Sequence, residues 1–206
     1  MKFDKVYIKT LKYFPDTKIK FKNESLFMKL LSFLLFFNPK FYTNYITTIG
    51  DTIYFPSKES LYKNEDSSIY TFLHEVVHIN DYHNNKLFKF NYLFPQILFI
   101  PCLLLLLLSW KIWLVSFIFL LPLPAYFRAR YELKAYLARL YVKSKLFYVD
   151  YNDEVEKIYK HFNSGDYYFM YPFNSLREEL KNSVTLIKDN KYDFDLRNKF
   201  DDIIRQ

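Results

Sequence analysis

The chain has 206 residues, 51% of them hydrophobic and 22% aromatic, so it can bury a substantial core and is not a disordered polymer. Its net charge is +7, but the basic residues are scattered and no nucleic-acid motif occurs, so nucleic-acid binding is not expected. Two glycines and no phosphate-binding loop argue against a nucleotide-binding fold. The single Cys102 excludes a disulfide within the chain, and the N-terminal residues do not resemble a signal peptide.

The N-terminal third predicts a small sheet. Loose alternation of apolar and polar residues over 3–22 indicates a strand. Residues 44–56 carry branched and aromatic side chains on both sides of Gly50-Asp51, a pair that is typical of turns. We therefore predict a small N-terminal sheet that includes a hairpin over 44–56.

A helix is predicted beside these strands. Residues 23–39 are apolar at helical spacing, and Asn23 or Ser25 could cap the helix that they form. Residues 57–67, after the hairpin, are polar. They are expected to form a loop.

The segment 70–83 reads YTFLHEVVHINDYH and contains three of the four histidines of the chain. Ser67 or Ser68 can cap a helix here that ends near Asn84. The apolar positions that recur at helical spacing are Ile69, Phe72, Leu73, Val76 and Val77. The histidines therefore lie on a predicted helix.

His74 and His78 are one helical turn apart, so their imidazoles point the same way and can hold one metal ion. Glu75 follows the first histidine, and from there its carboxylate can take a proton from a water on the metal. The pattern therefore predicts a zinc site with its own general base. The alternative is an ordinary helix at the edge of the core that carries histidines.

A third ligand must come from another part of the chain. Glu132 is the favoured candidate, on a helix predicted over 125–147. Ala135 is small enough to let a second helix approach closely. Tyr136 lies on the same face and could donate a hydrogen bond to a ligand.

Other assignments stay open for this third position. His161 is distant in sequence and could contribute, whereas His83 faces away from the other two histidines. The alternative role for Glu132 is a surface ion pair with Arg128 or Lys134.

The motif HEVVH at 74–78, followed by ELKA at 132–135, resembles the gluzincins, the thermolysin-like branch of the zinc metallopeptidases. That family commonly has an aspartate four residues after the ligand glutamate, where this chain has Tyr136. Its members place an edge strand before the site helix, and this strand pairs with an extended substrate. The stretch 44–56 would take that role, or it is a plain core hairpin. The zinc ligands that the resemblance implies are His74, His78 and Glu132.

Residues 92–127 carry a single charge, Lys111, and the 25-residue run 97–121 is long enough for one membrane span. One crossing would separate the histidines from Glu132, so the zinc hypothesis requires an apolar helical hairpin with its turn near Ser109–Lys111. The apolar run predicts a membrane association. Basic residues flank the run on both sides, which predicts that the zinc site lies on the cytoplasmic side. The alternative is a hairpin buried in a partner protein or oligomer.

This arrangement is similar to the membrane-embedded gluzincins of the CAAX-protease type, which also place a membrane hairpin between the two motifs. It also looks like small zincin-like proteins of bacteriophages. The residues that match the pattern of those phage proteins are Pro124, Ala125, Arg128, Glu132, Ala135 and Tyr136.

The predicted fold is α+β: a mostly helical zincin-like domain over 1–147 with a small N-terminal sheet and the apolar hairpin 92–127. A helical extension of unknown role follows at 148–206. Its short polar helices are predicted near 152–162, 175–188 and 195–204.

The predicted function is that of a membrane-associated zinc metallopeptidase acting on a peptide or protein, in which Glu75 is the catalytic base. The alternative is a zincin-shaped protein that does not cleave peptides. It would serve as a structural or membrane-interaction protein, for example in a phage virion.

Overall fold

The computed structural model describes residues 2–34, 40–94, 96–98, 109–115, 125–164 and 175–205. These residues are mostly helical with one three-stranded sheet, so the predicted α+β class is confirmed. They divide into two compact units. The first unit comprises Met1–His83, Ala138–Tyr148 and Asp193–Gln206, and the second comprises Asn84–Leu137 and Val149–Tyr192.

Helices account for most of the described residues. In chain order they are α1 (Phe3–Leu11), α2 (Leu26–Leu34), α3 (Lys40–Thr43), α4 (Lys58–Lys63), α5 (Glu65–Asn84), α6 (Phe88–Leu93), α7 (Trp110–Val115), α8 (Tyr126–Leu146), α9 (Tyr151–Asn163), α10 (Ser175–Lys188) and α11 (Arg197–Ile204). Short 3-10 turns cover Lys22–Glu24 and Gln96–Leu98.

The sheet of the first unit has the strand order β1 (Lys18–Phe21), β3 (Thr52–Phe55), β2 (Thr47–Ile49). β1 runs parallel to β3, and β2 pairs with β3 in antiparallel fashion. Gly50 makes the turn between β2 and β3 with a φ of +59°, a conformation that favours glycine. The hairpin predicted over 44–56 is confirmed, and β2 is at the edge of the described sheet.

The strand predicted over 3–22 is confirmed only at β1, because residues 3–11 form α1 instead. Phe3, Val6 and Thr10 are the buried positions of α1, and their spacing follows a helix rather than a strand. The ring of Phe3 packs edge-on against Phe55 and Phe72 in the core of the first unit. Helical packing against that core outweighs the loose alternation of the sequence.

The prediction of a loop over 57–67 is wrong, because this stretch contains α4 and the beginning of α5. Ser57 and Ser60 form a reciprocal capping box at the start of α4. Asn64 separates the helices, and its side-chain oxygen accepts a hydrogen bond of 3.0 Å from the backbone of Ser67. Local capping stabilises helices here that the hydrophobic pattern does not indicate.

The helix predicted over 23–39 is confirmed as α2, up to residue 34. The Ser25 hydroxyl accepts a hydrogen bond of 3.3 Å from the backbone of Met28, so Ser25 acts as the predicted cap. Residues 35–39 lie outside the described part of the chain.

The long helix predicted over 125–147 and the three C-terminal helices are confirmed as α8 to α11. Within the second unit, α9 packs against α10, and Arg177 pairs with Glu156 at 2.7 Å. The division into 1–147 and 148–206 stays a prediction.

The arms of the predicted apolar hairpin fall mostly on residues 99–108 and 116–124, outside the described residues. Of the predicted turn, Ser109 precedes α7 and Lys111 lies in its first turn. None of the helices within the described ranges is long and apolar enough to cross a membrane.

Candidate metal centre

α5 is a core helix in its second half, since residues 72–81 are all buried. This stretch includes His74, Glu75 and His78, which are 6%, 7% and 5% exposed. Burying ionisable side chains costs free energy unless they gain partners such as hydrogen bonds or a metal ion. Polar residues in this position therefore point to a specific role.

His74, His78 and Glu132 form one group. Each offers one ligand atom, and these atoms all lie within 4.8 Å of one another. All three side chains are buried, with Glu132 only 4% exposed. Glu132 therefore does not occupy the surface position that the alternative role, a surface ion pair, requires.

The hydroxyl of Tyr92, on α6, donates a hydrogen bond to Oε1 of Glu132. Arg128 in turn holds Tyr92: its Nε donates a hydrogen bond of 2.9 Å to the carbonyl oxygen of Tyr92, and its guanidinium lies 5.3 Å from the centre of the ring. The carboxylate of Glu132 thus has a fixed neighbour on one oxygen, and its second oxygen can serve as a ligand atom.

The hydroxyl of Thr48, in β2, donates a hydrogen bond of 2.7 Å to Oε2 of Glu75. The preceding residue, Thr47, accepts a hydrogen bond of 2.8 Å from the amine of Lys22. Burial lowers the pKa of Lys22 to about 8, although the negative charge of Glu75 acts to raise it. Glu75 therefore has a hydroxyl donor from the edge strand and feels the charge of a buried cation.

The other histidines considered from sequence have different neighbours. His83 pairs with Asp51 at the hairpin turn. His161 stacks on Tyr136, with ring centres 6.0 Å apart and an interplanar angle of 21°. Neither histidine belongs to the group of possible ligands found among the described residues.

The sequence patterns do not reveal Thr48 and Tyr92, which hold the two carboxylates. Thr48 falls in the predicted hairpin, so a hydroxyl in the strand before the site helix was a usable signal. Tyr92 is 40 residues from Glu132 in the chain, and no spacing rule connects them.

No match was found when the chain was compared with family models, with curated proteins and with solved structures.

Proposed function

We propose that the chain is a zinc-dependent metallopeptidase of the gluzincin type that is associated with a membrane. The observation that carries this proposal is the buried group of His74, His78 and Glu132, with Glu75 beside the first histidine.

The residues present fit a zinc ion. Two imidazoles and one carboxylate are a donor set that peptidases use for catalytic zinc, where a fourth position stays open for water. Ligand atoms at about 2.0–2.2 Å from one ion in tetrahedral geometry are roughly 3.3–3.6 Å apart. Atoms that all lie within 4.8 Å of one another need only small side-chain rotations to reach that spacing.

Zinc in this position would supply Lewis-acid chemistry, acidifying water and polarising the carbonyl of a peptide bond. Glu75 acts as the general base: its carboxylate accepts the proton of the attacking water and later gives it to the leaving amine. Thr48 occupies Oε2 of Glu75, which leaves Oε1 for this transfer. A zinc ion that only braced two helices would have no use for Glu75.

The substrate we propose is an extended peptide that pairs with β2. β2 is at the edge of the sheet within the described residues, and an edge strand offers unpaired backbone groups to an added strand. It also carries Thr48, so a peptide bound there would lie near the residue that contacts Glu75.

Membrane association is supported by the apolar run over 92–127 and by exposed apolar side chains within the run and just before it. Such residues occur at the start of α6 and along it, on α7 and at the start of α8. Aromatic residues of this kind are typical of membrane interfaces. The exposed residues are Leu87, Phe90, Leu93, Trp110, Tyr126 and Phe127.

The test is zinc content and peptidase activity of the full chain purified in detergent. The variant is Glu75→Gln, and the matched control is Glu154→Gln, which removes another buried carboxylate in the second unit. We expect about one zinc per chain in all three proteins, and a kcat lowered about 10²- to 10⁴-fold in Glu75→Gln alone.

Zinc absent from the wild type, under conditions that load a known zinc peptidase, would refute the metal site. Zinc present with equal activity in Glu75→Gln and wild type would refute the assignment of Glu75 as the base.

A further inference from the structure

We infer that Thr48 is a positioning residue for the general base Glu75, and that Lys22 holds the strand from which Thr48 acts. This inference rests on the proposed function, because it assigns Thr48 a role in the same reaction.

The contact between Thr48 and Glu75 restricts a carboxylate that would otherwise rotate. A glutamate side chain has three rotatable bonds, and its two oxygens are equivalent until one of them is bound. The hydroxyl of Thr48 donates to Oε2 at 2.7 Å, so Oε1 is the oxygen that remains for proton transfer. A threonine hydroxyl can give this hydrogen bond without ionising at the pH of catalysis.

Thr48 can act in this way only if β2 keeps its place. β2 has three residues and lies at the edge of the described sheet, where a short strand is held on one side only. Successive side chains of a strand point to opposite faces, so Thr47 meets a different neighbour from Thr48. That neighbour is Lys22.

Lys22 is a fully buried lysine, which is rare unless the amine has partners. Its amine donates hydrogen bonds of 2.6 Å to the carbonyl oxygen of Phe41 and 2.8 Å to the hydroxyl of Thr47, and it lies 4.0 Å from the centre of the Phe41 ring. Lys22 thereby ties β2 to α3. The strand that presents Thr48 is fixed by the backbone ladder with β3 and by this cation.

The experiment measures kcat and KM for Thr48→Val, which keeps the shape of the side chain and removes the donor. We expect kcat to fall about 10- to 100-fold, since small errors in the placement of a catalytic group have effects of this size, while KM and zinc content change less than about threefold. Thr48→Ser, which restores the hydroxyl, should recover most of kcat. Thr52→Val in β3 is the matched control for a threonine replaced in this sheet.

A second readout does not depend on activity. Thr48→Val and Glu75→Ala are combined in a double-mutant cycle on the unfolding of the metal-free full chain. Each single substitution raises the unfolding constant by some factor. If the two side chains interact, the factor for the double variant should be about tenfold smaller than the product of the two single factors. The pair Thr52→Val and Glu75→Ala should be additive.

Lys22→Met tests the second half of the inference. Alone, Lys22→Met should lower kcat, as Thr48→Val does. In the double variant it should lower kcat little below the value of Thr48→Val. Full additivity of the two effects on kcat would overturn the assignment of Lys22.

The outcomes separate the two proposals. If Glu75→Gln abolishes activity but Thr48→Val retains the wild-type kcat, the role of Thr48 is refuted and the proposed function stands. If the wild type has no peptidase activity although Thr48 and Glu75 are coupled in unfolding, the proposed function fails, and the pair is structural. Absence of coupling overturns the inference in either case.

Discussion

Glu75 and Glu132 are two buried glutamates that differ in what holds them. Both side chains are almost completely buried, and each accepts a hydrogen bond from a hydroxyl on one of its oxygens. Glu75 is held by a threonine in a strand, whereas Glu132 is held by a tyrosine on α6. The positive charge of the buried Lys22 also interacts with the negative charge of Glu75.

This difference matches the different tasks that we propose. A ligand must offer one oxygen in a constant direction, and a long, rigid phenol packed among aromatic rings suits that task. The ring of Tyr92 lies in such a cluster with Phe88 and Tyr131. A base must exchange a proton on one oxygen while the other stays bound, which a short hydroxyl on an anchored strand allows.

The largest expected effect separates the two glutamates directly. Glu132→Gln should lower zinc affinity by more than about 100-fold, because it replaces a charged ligand by a neutral one. The loss of a residue that only hydrogen-bonds to a ligand lowers metal affinity by about 10- to 100-fold. Glu75→Gln should leave zinc affinity nearly unchanged. Competition with a chromophoric chelator measures both. Equal losses in the two variants would contradict the division of roles.

Tyr92→Phe should have a smaller effect, because it removes only the hydrogen bond to Glu132 and keeps the ring. We expect zinc affinity to fall about 10- to 100-fold. Tyr131→Phe is the matched control, since its hydroxyl accepts a hydrogen bond of 2.6 Å from Asn85 instead. A Tyr92→Phe variant that binds zinc like the wild type would show that Glu132 needs no orienting partner.

The last expected effect concerns the cation near Glu75, and it falls on stability rather than on zinc binding. Burial lowers the pKa of Lys22 to about 8 in the folded chain, against the 10.5 of an exposed lysine. Between these two values the unfolded state binds more protons than the folded state, so stability rises with pH. The free energy of unfolding of the wild type should gain up to about 3 kcal/mol over this range relative to Lys22→Met, because each pH unit in which the unfolded state holds one extra proton adds about 1.4 kcal/mol.

Denaturant unfolding of both proteins at about pH 7.5 and about pH 10.5 gives this difference. Tyrosines that titrate in the same range are common to both chains and cancel in the comparison. If the difference in unfolding free energy between the two proteins is the same at both pH values, burial does not lower the pKa of Lys22. The contrast between the two glutamates would then reduce to the two hydroxyl donors.

Apolar residues at helical spacing and the serines that can cap the helix made α5 predictable from sequence, and the Gly50-Asp51 signal made the hairpin predictable. The residues 3–11, FDKVYIKTL, fit a strand and a helix about equally well, and only packing against Phe72 decides for the helix. α4 has one buried residue, Leu61, so no hydrophobic pattern reveals it. Its helix depends on a capping box between two serines.

The grouping of His74, His78 and Glu132 could be predicted because helix spacing fixes the first two and the resemblance supplies the third. Their role as zinc ligands stays a prediction. Thr48 and Tyr92 could not be identified in this way, since each contact joins segments that are distant in the chain. Such contacts depend on the packing of the whole unit rather than on a local pattern.

The turn at Gly50 has a consequence for how faithfully the hairpin assembles. Thr47 and Thr48 are adjacent and identical, so after a slip of one residue between β2 and β3 a threonine hydroxyl would still reach one of the two positions, at Lys22 or at Glu75, whereas Ile46 or Ile49 would take the other. One of the two polar contacts would therefore survive the slip. The left-handed Gly50 opposes the slip as a whole, because it fixes where the chain reverses, and it thereby decides which threonine reaches the base.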